Sequence, residues 1–154
     1  AHGARVIVTA GSEQKLALAR ELGAHKGIDH YTQDISKEVR RFTDRRGVDV
    51  VFEHVGQATW EQSMKSLRRG GRLVTCGATA GPSVSIDIRH LFQRQISLIG
   101  SYMGSKGELL TAAELFFDGR FSPVVDRTYP LEAAAEAQGR LEDSEQFGKV
   151  VLEV

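Results

Sequence analysis

Three times in this 154-residue chain, an apolar, β-branched burst stops at a small, glycine-containing loop and is followed by a new element. The bursts are Arg5-Val6-Ile7-Val8-Thr9, Gly47-Val48-Asp49-Val50-Val51-Phe52 and Arg72-Leu73-Val74-Thr75-Cys76. They break at Ala10-Gly11-Ser12, Glu53-His54-Val55-Gly56 and Gly77-Ala78-Thr79. Near-continuous apolar runs of this length read as parallel strands buried on both faces, and parallel strands need a crossover, usually a helix, between them. The alternation is that of an α/β sheet.

The segments between the bursts fit that arrangement. Leu16, Ala19 and Leu22 recur at helical spacing, and Gly23 closes the helix. The stretch 26–30 reads as a brief edge strand, and 36–44 as an amphipathic helix with Val39 and Phe42 inward. Helices are expected over 59–67 and 86–93, with Gly70-Gly71 as the turn into the third burst. A fourth strand is expected over 96–103. The helix that follows, from Lys106 or Gly107 to Phe117, should set Leu109, Leu110, Ala113, Phe116 and Phe117 on its inner face. The tail reads as a strand at 123–129, an alanine-rich helix opened by Pro130, and a closing strand at 148–154. At the other end, Ala1-His2-Gly3-Ala4 reads as a helix tail capped by Gly3 and running into the first strand.

Composition removes several classes of partner. Twenty basic and twenty acidic side chains cancel, so neither nucleic acid nor a membrane surface has global electrostatic support. No apolar run approaches the length of a membrane span. The single cysteine, Cys76, makes neither an internal disulfide nor a cysteine-based zinc site, and reads as buried strand packing. The expectation is a soluble, cytoplasmic protein.

In sheets of this kind ligands meet the carboxyl ends of the strands. At the first such end an acidic residue would bind an adenosine ribose, whereas hydroxyl and basic groups would receive a 2′-phosphate. Ser12 and Lys15 stand there, with no carboxylate directly at the strand end. Both have a plainer reading, Ser12 as the helix N-cap and Lys15 as a solvated first-turn residue, and Glu13 either opposes a phosphate or points away. His54, Val55 and Gly56 lie on the second rim, and Gly77, Ala78 and Thr79 on the third, where small residues let backbone approach a ligand. His54 has no second ligand at metal spacing, so it reads as scaffold rather than as a base or metal ligand. Ser101, Tyr102 and Met103 end the fourth strand.

The order and spacing of Ala4-Arg5-Val6-Ile7-Val8-Thr9-Ala10-Gly11-Ser12, Leu22-Gly23-Ala24, Gly47-Val48-Asp49-Val50-Val51-Phe52, Gly70-Gly71-Arg72-Leu73-Val74 and Phe147-Gly148-Lys149-Val150-Val151-Leu152 resemble the C-terminal, nucleotide-binding part of the medium-chain dehydrogenase/reductase superfamily. The branch is that of quinone oxidoreductases and zinc-type alcohol dehydrogenases. The resemblance runs almost end to end. It implies a Rossmann-like doubly wound parallel sheet over 1–154, with 123–154 as a C-terminal return segment and without the first strand, its glycine-rich turn and the N-terminal substrate domain.

It also implies the function: the cofactor-binding part of an NAD(P)-dependent oxidoreductase acting on an alcohol, aldehyde, ketone or quinone. NADP(H) is favoured over NAD(H). The zinc ligands and catalytic groups would lie outside this portion. The cofactor would meet Ser12, Lys15, Tyr31, His54, Val55, Gly56, Gly77, Ala78, Thr79, Ser101, Tyr102 and Met103. Tyr31 matches a position that often contacts the adenosine end, although a half-exposed loop tyrosine is an equal reading. Glu53 stands where the family usually has Asp. The strand at 97–103 would pair with its copy to make a homodimer. In the family's strand order the missing strand separates the first and second bursts, so two apolar edges should be left unpaired, either because the sequence is a portion of a longer molecule or because direct pairing or exchange heals the gap. The rival reading is a non-catalytic dinucleotide-binding or oligomerisation module of the same fold.

Overall fold

The structure, a computed structural model, describes residues 3–154. Of the expected helix tail, Ala1 and His2 lie outside the described residues, and the first strand begins at Ile7 rather than Ala4. The chain divides into two compact units, Ala4–Met103 and Gly104–Val154. Every strand pair in both is parallel, with helices between, which is a Rossmann-like doubly wound α/β arrangement.

In the larger unit, β1 (Ile7–Ala10), α1 (Glu13–Glu21) and β2 (Lys26–Asp29) form one βαβ turn, with β1 paired to β2. Leu16 of α1 packs over Gly27 of β2, and Leu16, Ala19 and Ile28 are buried. After α2 (Ile35–Phe42) come β3 (Val48–Glu53), α3 (Trp60–Ser66), β4 (Leu67–Thr75), α4 (Ile88–Gln93) and β5 (Ser97–Gly100). These strands make a second sheet in the order β3-β4-β5. Its core is Trp60 and Met64 of α3 against Leu67, Leu73 and Ile96.

No strand joins the two sheets among the described residues, so β1 and β3 each keep an unpaired edge. Val6 is 46% exposed beside the first, and Val50 and Phe52 are 45% and 68% exposed on the second. The helix layer is continuous where the strand ladder is not. Helix α2 packs on α3, and the Ser36 amide donates to Gln62 Oε1 at 3.1 Å.

Several elements differ from their sequence-based bounds. Strand β4 starts at Leu67, with Gly70-Gly71 inside it rather than before it. The register jumps from Val48↔Leu67 to Val50↔Arg72, and the extra residues are absorbed by a kink at Gly70, whose φ is 68° and whose N–H donates to the Arg94 carbonyl at 2.8 Å. Strand β5 ends at Gly100, opposite Thr75, the last residue of β4, so 101–103 leave the ladder. Cys76 lies one residue beyond β4 and is exposed, not packed in a strand.

The smaller unit holds α5 (Lys106–Phe117), β6 (Val125–Pro130), one 3-10 turn (Leu131–Ala133), α6 (Ala134–Glu142) and β7 (Lys149–Glu153). Strands β6 and β7 pair in parallel across α6. Asp126 accepts two bonds from Arg140, at 2.6 and 3.1 Å, and one from the Phe147 amide at 3.0 Å, tying strand, helix and return loop together. Helix α5 forms as expected, closed by a Ser105/Glu108 capping box. Its apolar stripe is not an inner face here: Leu109, Leu110, Phe116 and Phe117 are 48–87% exposed, with Phe116 lying against Phe121 at 5.9 Å between ring centroids. No helix among the described residues is long and apolar enough to cross a membrane.

Candidate functional site

The strand ends make two rims of different construction. At the first, β1 ends at Ala10 and Gly11 leads to Ser12, the N-cap of α1, whose Oγ accepts the Lys15 amide at 3.3 Å. The plainer reading of Ser12 is therefore satisfied, yet a capping hydroxyl spends an acceptor lone pair and keeps its O–H to donate. Glu13 does not face the loop alone: its carboxylate pairs with Arg20 at 2.7 Å, two turns along the same helix.

Strand β2 delivers Tyr31 to the same rim. The His30 amide donates to the Ala10 carbonyl at 3.2 Å, and Asp29 Oδ1 accepts the Tyr31 amide at 2.8 Å, a bond that lowers the Asp29 pKa. The Tyr31 ring stands edge-on to His30, centroids 4.5 Å apart, and is 80% exposed. It also covers Gly11, where an added Cβ would fall 2.5 Å from Tyr31 Cε2. Gly11 and Asp29 help build this rim, and neither was among the expected cofactor residues. The Asx turn was legible, since Asp followed two residues on by a loop residue is its pattern, whereas the ring over Gly11 is tertiary and left no local signal.

The second rim joins two loops into one body. The Cys76 amide donates to the Glu53 carbonyl at 3.1 Å, Thr79 to His54 at 3.4 Å, Ala80 to Val55 at 2.7 Å, and Gln57 to Gly81 at 3.1 Å. This brings five of the six expected residues here, His54, Val55, Gly56, Ala78 and Thr79, into direct contact, and the sixth, Gly77, sits with its Cα beside the His54 carbonyl. Gly56 has a φ of 89°, and a Cβ on it would lie 2.5 Å from the Gly81 carbonyl oxygen, so only glycine fits. His54 is exposed beside Phe52, ring centroids 6.3 Å apart.

Beneath these loops lies Glu53, 3% exposed. Its Oε1 accepts the Val55 amide at 2.8 Å, the Gly56 amide at 3.1 Å and the Thr59 hydroxyl at 3.0 Å, and its Oε2 accepts the Ser63 hydroxyl. Burial raises its pKa, and the donors, Ser63 first, more than offset this, so the carboxyl ends below its ordinary value.

At the end of β5 only Ser101 is tied in, its amide donating to the Thr75 carbonyl at 2.9 Å. Tyr102 and Met103 are 93% and 82% exposed, and Met103 has a φ of 51°. A separate concavity bordered by Trp60, Met64, Lys65, Val84, Ile86 and His90 includes none of the expected cofactor residues. Among the described residues no three His, Cys, Asp or Glu side chains gather as a metal site, so these residues do not fit a zinc ion. They do fit a dinucleotide: a glycine, Gly56, that no larger residue can replace, loop backbone at the surface, and a helix N-terminus with a hydroxyl beside it.

Known proteins share this arrangement. The family model described as zinc-binding dehydrogenase matches residues 1–118. The crotonyl-CoA reductase of Streptomyces collinus is 31% identical over 97% of this chain and 37% of its own length. The quinone oxidoreductase of Rattus norvegicus is 30% identical over 99% of the chain and 48% of its own. A crystal structure of an NAD-dependent alcohol dehydrogenase superposes with a TM-score of 0.91 at 44% identity, over 99% of this chain and 44% of that one. The chain thus spans less than half the length of these relatives.

Proposed function

This chain belongs to the zinc-binding dehydrogenase family, and from that premise we propose that it is the cofactor-binding part of an NAD(P)-dependent oxidoreductase that uses NADP(H). The parent enzyme would act on an alcohol, an aldehyde or ketone, or a quinone. The bound nicotinamide supplies the hydride chemistry. What these residues do is hold and orient. Ser12 and Lys15, at the N-terminus of α1, take the 2′-phosphate, and Tyr31 lies against the adenosine end. The fused loops at 54–56 and 77–79 seat the nicotinamide half, with Ser101, Tyr102 and Met103 beside it. No step is assigned to zinc or to a side-chain acid or base.

The observation that carries NADP(H) is the first rim: Ala10 ends the strand, Ser12 and Lys15 follow, and the carboxylate that would repel a phosphate, Glu13, is engaged by Arg20. One observation favours a second reading, NAD(H): the similar alcohol dehydrogenase structure is described as NAD-dependent. Titration of the full-length parent with both nucleotides separates them. Lys15→Ala is expected to weaken NADPH binding about tenfold, the scale of one charge-assisted bond, and to leave NADH unchanged. NADH bound at least as tightly as NADPH by the wild type would refute the 2′-phosphate assignment. Binding of neither would favour a non-catalytic module.

The unpaired strand edges of β1, β3 and β5 support two further assignments. A parallel strand of the parent, followed by a glycine-rich turn for the pyrophosphate, fits between them. Strand β5, at the other edge of its sheet, pairs with its copy to form a homodimer; Ile99→Lys leaving the parent's dimer mass unchanged would dismiss that pairing.

A further inference from the structure

Resting on the cofactor reading above, we infer that Glu53 is a positioning residue: its buried carboxylate holds the 54–56 loop, and through it the 77–81 loop, in the shape both present to the dinucleotide.

The loop that leaves β3 turns within a few residues, and Val55 and Gly56 point their amides back into the protein rather than to solvent or a strand. Glu53 Oε1 accepts both, at 2.8 and 3.1 Å. A buried amide without an acceptor costs more than the bond itself contributes, so the loop shape depends on that oxygen. The same carboxylate reaches α3 through two hydroxyls. Thr59, the residue before α3, makes no side-chain cap to its own helix, and its Oγ1–H donates to Glu53. Ser63, a turn further on, donates to Oε2. One acidic group thus joins the end of β3, the rim loop and the first turn of α3. All four of its partners are neutral dipoles.

What makes this a role toward cofactor, rather than packing alone, is the chain of contacts above the carboxylate. The held loop carries His54 O, which accepts the Thr79 amide, Val55 O, which accepts the Ala80 amide, and Gly56, against which Ala78 and Gly81 lie. His54, Ala78 and Thr79 are exposed on the outer side of this body, and Glu53, at 3% exposed, lies beneath it. The carboxylate acts on a ligand only through the loops.

The test compares Glu53→Met, which keeps the side-chain length but removes the acceptor of both loop amides, with Ser63→Ala in the full-length parent. Ser63→Ala removes one bond to the same carboxylate but neither loop amide. Amide hydrogen exchange of 54–57 and 77–81, dinucleotide Kd and, for turnover, the split between KM and kcat are read for each at matched loss of Tm. Expected for Glu53→Met are faster exchange in both loops, a Kd and cofactor KM raised about tenfold, and kcat at saturation within about twofold. Ser63→Ala should keep both loops protected and Kd unchanged. Equal binding by wild type and Glu53→Met, or equal weakening in both variants, overturns the inference. If Glu53→Met does not fold, Glu53→Gln takes its place: its oxygen still accepts both amides but without the charge, with about a threefold rise in Kd expected relative to Ser63→Ala; no difference between those two overturns it as well. A wild type that binds no dinucleotide refutes the proposed function instead, while the exchange rates still decide whether Glu53 holds the loops.

Discussion

At the end of β1, the loop carrying Gly11 and Ser12 is fixed by one N-cap bond, one amide bond from His30, and an exposed tyrosine ring. At the end of β3, a comparable length of chain is fixed by a buried carboxylate, a glycine with no room for a Cβ, and a series of amide bonds to the next loop. Both rims are built for the same cofactor in the proposed reading, at opposite halves of it. The first relies on side chains at the surface, which can change one at a time. The second relies on backbone, whose shape no single surface substitution resets. In that reading, choice between NADP(H) and NAD(H) belongs to the first, and a constant seat for the nicotinamide half to the second.

The largest expected effect comes from attacking the stiff rim directly. Gly56→Ala combines a φ of 89° with a Cβ 2.5 Å from the Gly81 oxygen, a backbone atom that cannot swing aside. A loss of about 3 kcal/mol is expected by denaturant unfolding of the parent, from backbone strain plus overpacking. A loss under about 1 kcal/mol would erase the contrast between the rims.

A pH titration comes next. Because the Glu53 carboxyl lies below its ordinary value in the folded protein, its contribution is fully present above the unfolded value, near about 4.3, and is lost as pH falls through the folded value. The unfolding midpoint of the wild type should therefore fall below about pH 4.3 more steeply than that of Glu53→Gln. Parallel curves would place the acid response elsewhere.

The first rim should answer more gently. Ser12→Ala is expected to cost about 1 kcal/mol, the value of a cap, and to weaken NADPH binding more than NADH. Smallest of all is Gly11→Ala. The atom it would meet is the far end of an exposed side chain, so stability should change by less than about 0.5 kcal/mol while Tyr31 moves. A loss as large as that of Gly56→Ala would show the two rims to be equally rigid.

How much of this was readable in the sequence follows the same division. The alternation of strand and helix, the strand end at Ala10, the end of the second strand to within one residue (Phe52 expected, Glu53 found) and the placement of Ser12 were legible because each is local: a period, a glycine, a capping hydroxyl. Glu53 stood out only as a departure from Asp, since its donors sit two, three, six and ten residues away and only the fold gathers them. Gly70-Gly71 read as a turn because glycine pairs usually are turns, and only the Arg94 carbonyl on a later loop makes it a kink within β4. The stripe on α5 was a correct pattern without a partner: periodicity identifies an apolar face but not what covers it.

The break in the strand ladder, bridged by α2 on α3, bears on how this unit comes together in time. The β1–β2 and β3–β4–β5 groups each close over short stretches of chain, with pairings such as Ile7↔Lys26 and Val51↔Leu73, so each can form early without waiting for the other. What couples them is a helix seam with the Ser36 amide on Gln62, a far weaker link than a shared strand. Native-state exchange of this unit should accordingly resolve two cooperative openings of different free energy, the three-stranded group with its Trp60–Leu73 core being the slower.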